Sequence, residues 1–197
     1  MPTLDFWFEF ASTYSYLAVS RIAALANDAG VRVAWKPFLL GPIFKAQGWN
    51  DSPFNIYEAK GRYMWRDMER LCAQYGLGFR RPSTFPRNGL VAARVAAIAG
   101  NDAWVADFVR AVYRANFAED RDISDRGVIA EILGAIGQSP DAVLAAAETP
   151  ENKERLKRQT EEGVRLGIFG APSFTARGEL FWGNDRLDDA LAWAARA

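Results

Sequence analysis

The chain has 197 residues, half of them apolar, and its 24 Lys and Arg balance 24 Asp and Glu. That length and composition fit one compact domain with a sizeable core, and the even charge leaves no footprint for nucleic acid or an anionic membrane. With no histidine and one cysteine, Ser-His-Asp triads, Cys-His dyads, histidine-ligated metals and internal disulfides are excluded, so thiol or electron chemistry needs a borrowed reagent.

The first stretch, "LDFWFEF" over residues 4–10, alternates as a strand: Leu4, Phe6, Phe8 and Phe10 on one face, Asp5, Trp7 and Glu9 on the other. No secretory pattern precedes it and no apolar run reaches membrane-spanning length, so the expected location is the cytoplasm. The spacing of Leu17, Ile22, Leu25, Ala26 and Ala29 predicts a helix from about Tyr14 to Ala29, stopped by Gly30. "VRVAWKPF" reads as a second strand. Strand, helix and strand in about 40 residues form a βαβ unit with parallel strands.

Beyond it, "LLGPIFKAQGWNDSPFN" is rich in Gly, Pro and Asn and reads as a loop with broken helix. Helical patterns follow at about 57–75, 87–99, 102–116, 125–136, 139–147 and 150–166. Ser139-Pro140 and Thr149-Pro150 each read as an N-cap followed by proline at the first helical position. Alternation returns in "PSFTA" and "LFW", which flank the turn Arg177-Gly178-Glu179. A last helix carries Leu187, Ala190, Leu191 and Ala194 on one face. The ends of the chain thus make an α/β domain (1–40 and 167–197), interrupted by an all-helical insertion (41–166).

Several residues stand out chemically. Ser12 sits where the first strand runs into the first helix. Its plain reading is an N-cap; its functional reading uses the same geometry, because a helix N-terminus favours an anion and a serine hydroxyl can donate to one. Ser15, one turn on, should face inward. Pro172 in "FGAPSF" reads, on spacing alone, as a trans turn residue. Asn184 and Asp185 in "FWGNDRL" read equally as caps of the last helix or as site residues. Lys45, Trp49 and Asn50 lie in the Gly- and Pro-rich loop, where a shaped turn raises the odds of function. Cys72 lies among Met64, Met68, Leu71 and Tyr75 at helical spacing and reads as core.

Taken in order, "DFWFEFASTYSYLA", "PFLLGPIFKAQGWN", "AKGRYMWRDMERL", "FPRNGLVAARVA", "GIFGAPSF" and "FWGNDRLD" resemble the 2-hydroxychromene-2-carboxylate isomerases. These are relatives of kappa-class glutathione transferases and of the DsbA-like branch of thioredoxin folds. The resemblance spans nearly the whole chain. It implies a thioredoxin-like domain with a large helical insertion, glutathione as cofactor, a small aromatic α-keto acid as substrate, and a homodimer. It implies that Ser12 stabilises the glutathione thiolate and that Pro172 is a cis-proline preceded by Ala171, whose backbone binds the cysteinyl part. It also implies that Asn184, Asp185 and Arg186 hold the γ-glutamyl end, while Lys45, Asn50 and Asn88 face the substrate, with Trp49 beside them. The reaction implied interconverts 2-hydroxychromene-2-carboxylate and trans-o-hydroxybenzylidenepyruvate in aromatic catabolism of the naphthalene type, by reversible addition of the thiolate. One departure is Thr13, where many relatives carry proline; it should loosen the helix start. Two rival readings follow the same fold: a kappa-like glutathione transferase, and a non-catalytic thiol-binding module. A disulfide oxidoreductase is disfavoured by the lack of a cysteine pair.

Overall fold

A computed structural model describes residues 1–196. The first strand β1 (Thr3–Phe8) leads into α1 (Thr13–Asp28) and then β2 (Arg32–Pro37). Near the other end, β3 (Ser173–Ala176) and β4 (Glu179–Trp182) form a hairpin. The sheet order is β2-β1-β3-β4; β1 and β2 run parallel, and β3 is antiparallel to both its neighbours. The hairpin turns at Arg177 and Gly178, whose φ values of 52° and 83° match the right-handed strand twist.

Helices fill the middle of the chain. They are α2 (Leu40–Ala46), α3 (Pro53–Ile56), α4 (Glu58–Tyr75), α5 (Leu90–Ala99) and α6 (Val105–Phe117), then α7 (Arg126–Ala135), α8 (Pro140–Ala147) and α9 (Pro150–Arg165). A short 3-10 turn over Asn184–Arg186 precedes the last helix, α10 (Leu187–Ala194). Ser139 and Thr149 occupy N-cap positions ahead of their prolines, and the Thr149 hydroxyl accepts from the Asn152 N–H at 3.3 Å. No helix among the described residues is long and apolar enough to cross a membrane.

The first strand presents the two faces that its alternation predicts. Phe6 and Phe8 face the main core, where Phe6 stacks on Phe174 at 5.4 Å and meets Trp35 edge-on. Trp7, on the opposite face, is fully buried as well. It packs against Phe38, Leu40, Ile43 and Ile168, and its indole N–H donates to Thr175 Oγ1 at 3.0 Å. A central strand of a layered α/β fold is covered on both sides, so both faces of the alternation are buried at Phe6, Trp7 and Phe8. The main core is one continuous cluster running from β1 and α1 into α4 to α8. Cys72 lies inside it, and burial pushes its thiol up to about 11.

The expected loop with broken helix takes definite shape in segment 39–50. Residues 40–46 form a helix, with Gly41 and Pro42 in its first turn. Those positions have no intrahelical N–H partner to lose, so proline fits there. Leu40 and Ile43 on this helix pack on Trp7, which ties α2 and its last-turn Lys45 to the sheet.

Candidate active site

The turn that ends β1 delivers the first site residues. The Ser12 N–H donates to the Glu9 carbonyl at 2.9 Å, closing a tight turn before α1. Ser12 is the N-cap: its Oγ accepts from the Ser15 N–H at 3.2 Å. The same hydroxyl donates across the fold to the Ala171 carbonyl at 2.8 Å. The two readings of Ser12 therefore coexist in one geometry, since the hydroxyl that caps α1 also reaches the strand-entry loop. Ser15 is fully buried, as its position predicted. Thr13 does not loosen the helix start: it is buried, and its hydroxyl donates to Met64 Sδ at 3.1 Å, pinning α1 to α4.

Ala171 precedes Pro172 through a cis bond, against the reading from spacing; Phe85–Pro86 is cis as well. The Ala171 N–H has no hydrogen-bond partner among the described residues. The Pro172 carbonyl accepts from the Gly183 N–H at 2.9 Å, which fixes where the segment Asn184-Asp185-Arg186 begins. Gly183 has φ 108°, and a Cβ there would lie 2.4 Å from Asp185 Oδ1, so only glycine allows this turn.

Asn184 and Asp185 do not cap α10: Arg186 is the N-cap residue and supplies no side-chain cap bond. Asn184 is instead buried, its Oδ1 accepting from Arg21 on α1 at 3.2 Å. Asp185 and Arg186 are exposed, 3.8 Å apart, and Arg186 also pairs with Asp189 at 3.1 Å.

These residues line one cleft of about 1660 Å³ between the sheet ends and the helices. Ser12, Ala171, Asn184, Asp185 and Arg186 lie on its α/β wall; Lys45, Trp49, Asn50 and Asn88 lie on its helical wall. Pro172 sits buried directly behind Ala171. Trp49 is held by Phe44 at 5.6 Å and Tyr57 at 6.4 Å. Asn88 Oδ1 accepts from the Leu90 N–H at 2.9 Å as α5 begins.

The structure adds residues that the sequence reading passed over. Glu9 lines the cleft, and its Oε2 accepts from the Ala11 N–H at 2.9 Å. Burial pushes its carboxyl up to about 7, against the opposing effect of that N–H. A lone acid in the aromatic run "FWFEF", three residues before Ser12, was the available signal. Tyr14 and Asp67 also line the cleft, and the Tyr14 hydroxyl donates to Asp67 Oδ2 at 3.0 Å. Burial first, and then the Asp67 carboxylate, hold the Tyr14 phenol well above its ordinary range. Arg87 is buried beneath the wall, where it bonds the Asn116 Oδ1 at 3.1 Å and pairs with Asp120. In turn the Asn116 side chain donates to the Phe10 carbonyl at 3.1 Å. This chain of contacts ties the Asn88 segment to the exit of β1.

Residues 3–192 match the DSBA-like thioredoxin domain. A 2-hydroxychromene-2-carboxylate isomerase of Sphingobium xenophagum is 30% identical over 187 residues, covering 94% of each chain. The chain belongs to this isomerase family, within the DSBA-like thioredoxin fold. The human glutathione S-transferase kappa 1 is a more distant relative, 24% identical over 94% of this chain and 88% of its own. A solved 2-hydroxychromene-2-carboxylate isomerase superposes with a TM-score of 0.84 at 27% identity, covering 94% of this chain and 90% of that one. The family's fold is thus the one built here.

Proposed function

We propose that the chain is a glutathione-dependent isomerase, interconverting 2-hydroxychromene-2-carboxylate and trans-o-hydroxybenzylidenepyruvate in aromatic catabolism of the naphthalene type. The observation that carries this reading is the meeting of Ser12 and Ala171 at 2.8 Å, at the start of α1 and in a cleft that Lys45 also lines. The named activity of relatives at about 30% identity over most of the chain supports the reaction, and the kappa relative's name supports the cofactor.

The residues present fit glutathione. The open Ala171 N–H beside Pro172 offers a backbone donor for the cysteinyl portion. Asn184, Asp185 and Arg186 offer a carboxylate and a guanidinium for the charged γ-glutamyl end. The Ser12 hydroxyl now donates to a carbonyl; a thiolate is a stronger, charged acceptor, and the unpaired N–H groups of the first turn of α1 favour its negative charge. When bound, glutathione supplies a thiolate that adds reversibly to the side-chain double bond, leaving a single bond free to rotate. Lys45 steadies the substrate carboxylate or the developing enolate oxygen. Asn50 and Asn88 offer amide donors on the same wall, and Trp49 offers an aromatic face for the substrate ring.

The direct test follows ultraviolet absorbance of 2-hydroxychromene-2-carboxylate with and without catalytic glutathione. The expected result is conversion only with glutathione, and glutathione recovered intact. A stable conjugate detected by mass spectrometry would instead assign the chain to the kappa-like transferases, a reading favoured by the human relative. Binding of glutathione without turnover of any aromatic acceptor would leave a thiol-binding module.

A further inference from the structure

The proposed isomerisation leaves one proton without a carrier. In 2-hydroxychromene-2-carboxylate the C2 carbon bears both the hydroxyl and the ring oxygen. Opening the ring breaks the C2–ring oxygen bond, makes C2=O, and moves one proton from the hydroxyl to the phenolic oxygen. Neither the hydroxyl donor at Ser12 nor the cation at Lys45 is suited to take that proton up and give it back.

Resting on the isomerase reading, we propose that Glu9 is an acid–base catalytic residue of this site: its carboxylate takes the hydroxyl proton as C2=O forms and returns it to the ring oxygen as the C–O bond breaks. The O–H bond lost at C2 is matched by the O–H bond gained at the phenol, and the carboxylate is regenerated. Ring closure runs through the same residue in reverse.

Three features of the geometry support this role. Glu9 lines the cleft in the turn that also presents Ser12. One carboxyl oxygen, Oε2, is fixed by the Ala11 N–H at 2.9 Å, so the group is oriented. The other, Oε1, has no hydrogen-bond partner among the described residues and lies beside Gly89, where a Cβ would stand 3.6 Å away. Glycine at position 89 sets no side chain against that oxygen.

The surroundings suit a proton carrier. On α6, Tyr113 donates its hydroxyl to the Glu9 backbone carbonyl at 2.7 Å, and the Glu9 carboxylate adds to burial in holding the Tyr113 phenol above its ordinary range. Ahead of α5, the charge of the buried Arg87 is answered by Asp120. No ion pair holds the Glu9 carboxyl ionised among the described residues. Burial raises it to about 7, near the value at which a carboxyl both accepts and donates efficiently at neutral pH.

The test is Glu9→Gln, which keeps an acceptor for the Ala11 N–H. Wild type should convert the substrate, and the variant's kcat should fall about 100-fold or more while its glutathione dissociation constant stays within about twofold. Carbon-13 NMR of carboxyl-labelled glutamate should show one resonance in the wild type titrating near pH 7 and missing from the variant. The limb of the kcat profile near pH 7 should vanish with it. A variant within about twofold of wild type, or no glutamate titrating above pH 6, overturns the role of Glu9 while leaving the isomerase reading in place. A folded wild type that binds glutathione yet converts nothing overturns the isomerase reading, and the ring-opening role goes with it.

Discussion

The two walls of the cleft are built on different principles. The α/β wall is fixed by the backbone: β1 is bonded on both sides, and Ser12, Ala171 and Gly183 are placed by hydrogen bonds that cross the fold. The helical wall is fixed by side chains. Its Lys45 rides on a seven-residue helix anchored by Leu40 and Ile43, Trp49 rests on Phe44 and Tyr57, and Asn88 follows an arginine clamped to Asp120. Backbone placement is insensitive to side-chain substitution, while side-chain placement changes with each residue. The first wall suits a cofactor common to many reactions; the second suits a substrate that differs between them.

Substitutions on the two walls should therefore fail differently. Ser12→Ala removes the donor to the thiolate and should lower kcat about 100- to 1,000-fold, with about 1 kcal/mol of stability lost with the N-cap bond. A thermal melt beside the absorbance assay separates the two effects, and near-normal turnover in a folded variant would remove Ser12 from the mechanism. Lys45→Ala should cost about tenfold to a hundredfold in kcat/KM, as expected of one charged hydrogen bond, while glutathione affinity stays unchanged. Equal losses of glutathione affinity and of kcat/KM would erase the division between the walls.

The seam between the walls can be broken directly. A Cβ at Gly89 would lie 2.7 Å from the Phe10 Cβ, so Gly89→Ala must push α5 away from β1. Overpacking of this kind costs about 1–3 kcal/mol, read as a lower urea midpoint. An unchanged midpoint would show that the seam has slack. The smallest effect concerns pH. The Ser83 N–H, then Arg87, lower the Asp120 carboxyl from 3.8 to about 2. A lowered folded value means that the stabilisation is present above the unfolded value near 3.8 and is lost as pH falls toward 2. Glu9 has the opposite sign: raised from 4.5 to about 7, it favours the fold fully below 4.5, and that contribution is lost as pH rises through 7. Asp120→Asn should flatten the acid limb of stability and leave the neutral limb intact; the reverse pattern would contradict both assignments.

How much of this was legible follows from the range of the interactions involved. The βαβ start, the helical middle and the closing hairpin followed from periodicity and punctuation, because those patterns depend on near neighbours. The broken helix of segment 39–50 was legible, but where it runs was not: Gly41 and Pro42 look like breakers, yet both fall in the first helical turn, where they do no harm. For Trp7, strand alternation recorded which way the side chain points and said nothing of what covers it. Asn184 read equally as a cap or a site residue, and its partner is Arg21, far away in sequence. Glu9 was hidden by the same limit, since a carboxyl's burial is a property of the packed neighbours.

The sequence by itself determined the family, the strand and helix order, and the serine at the start of α1. Those depend on residue identity and local spacing. Only the tertiary structure decided that Ser12 reaches Ala171, that Lys45 and Asn88 line one cleft with it, and that Glu9 lies beside Gly89 with a raised carboxyl. Each of these joins residues distant in sequence or depends on exclusion of water, and such distances and burial exist only once the chain has packed.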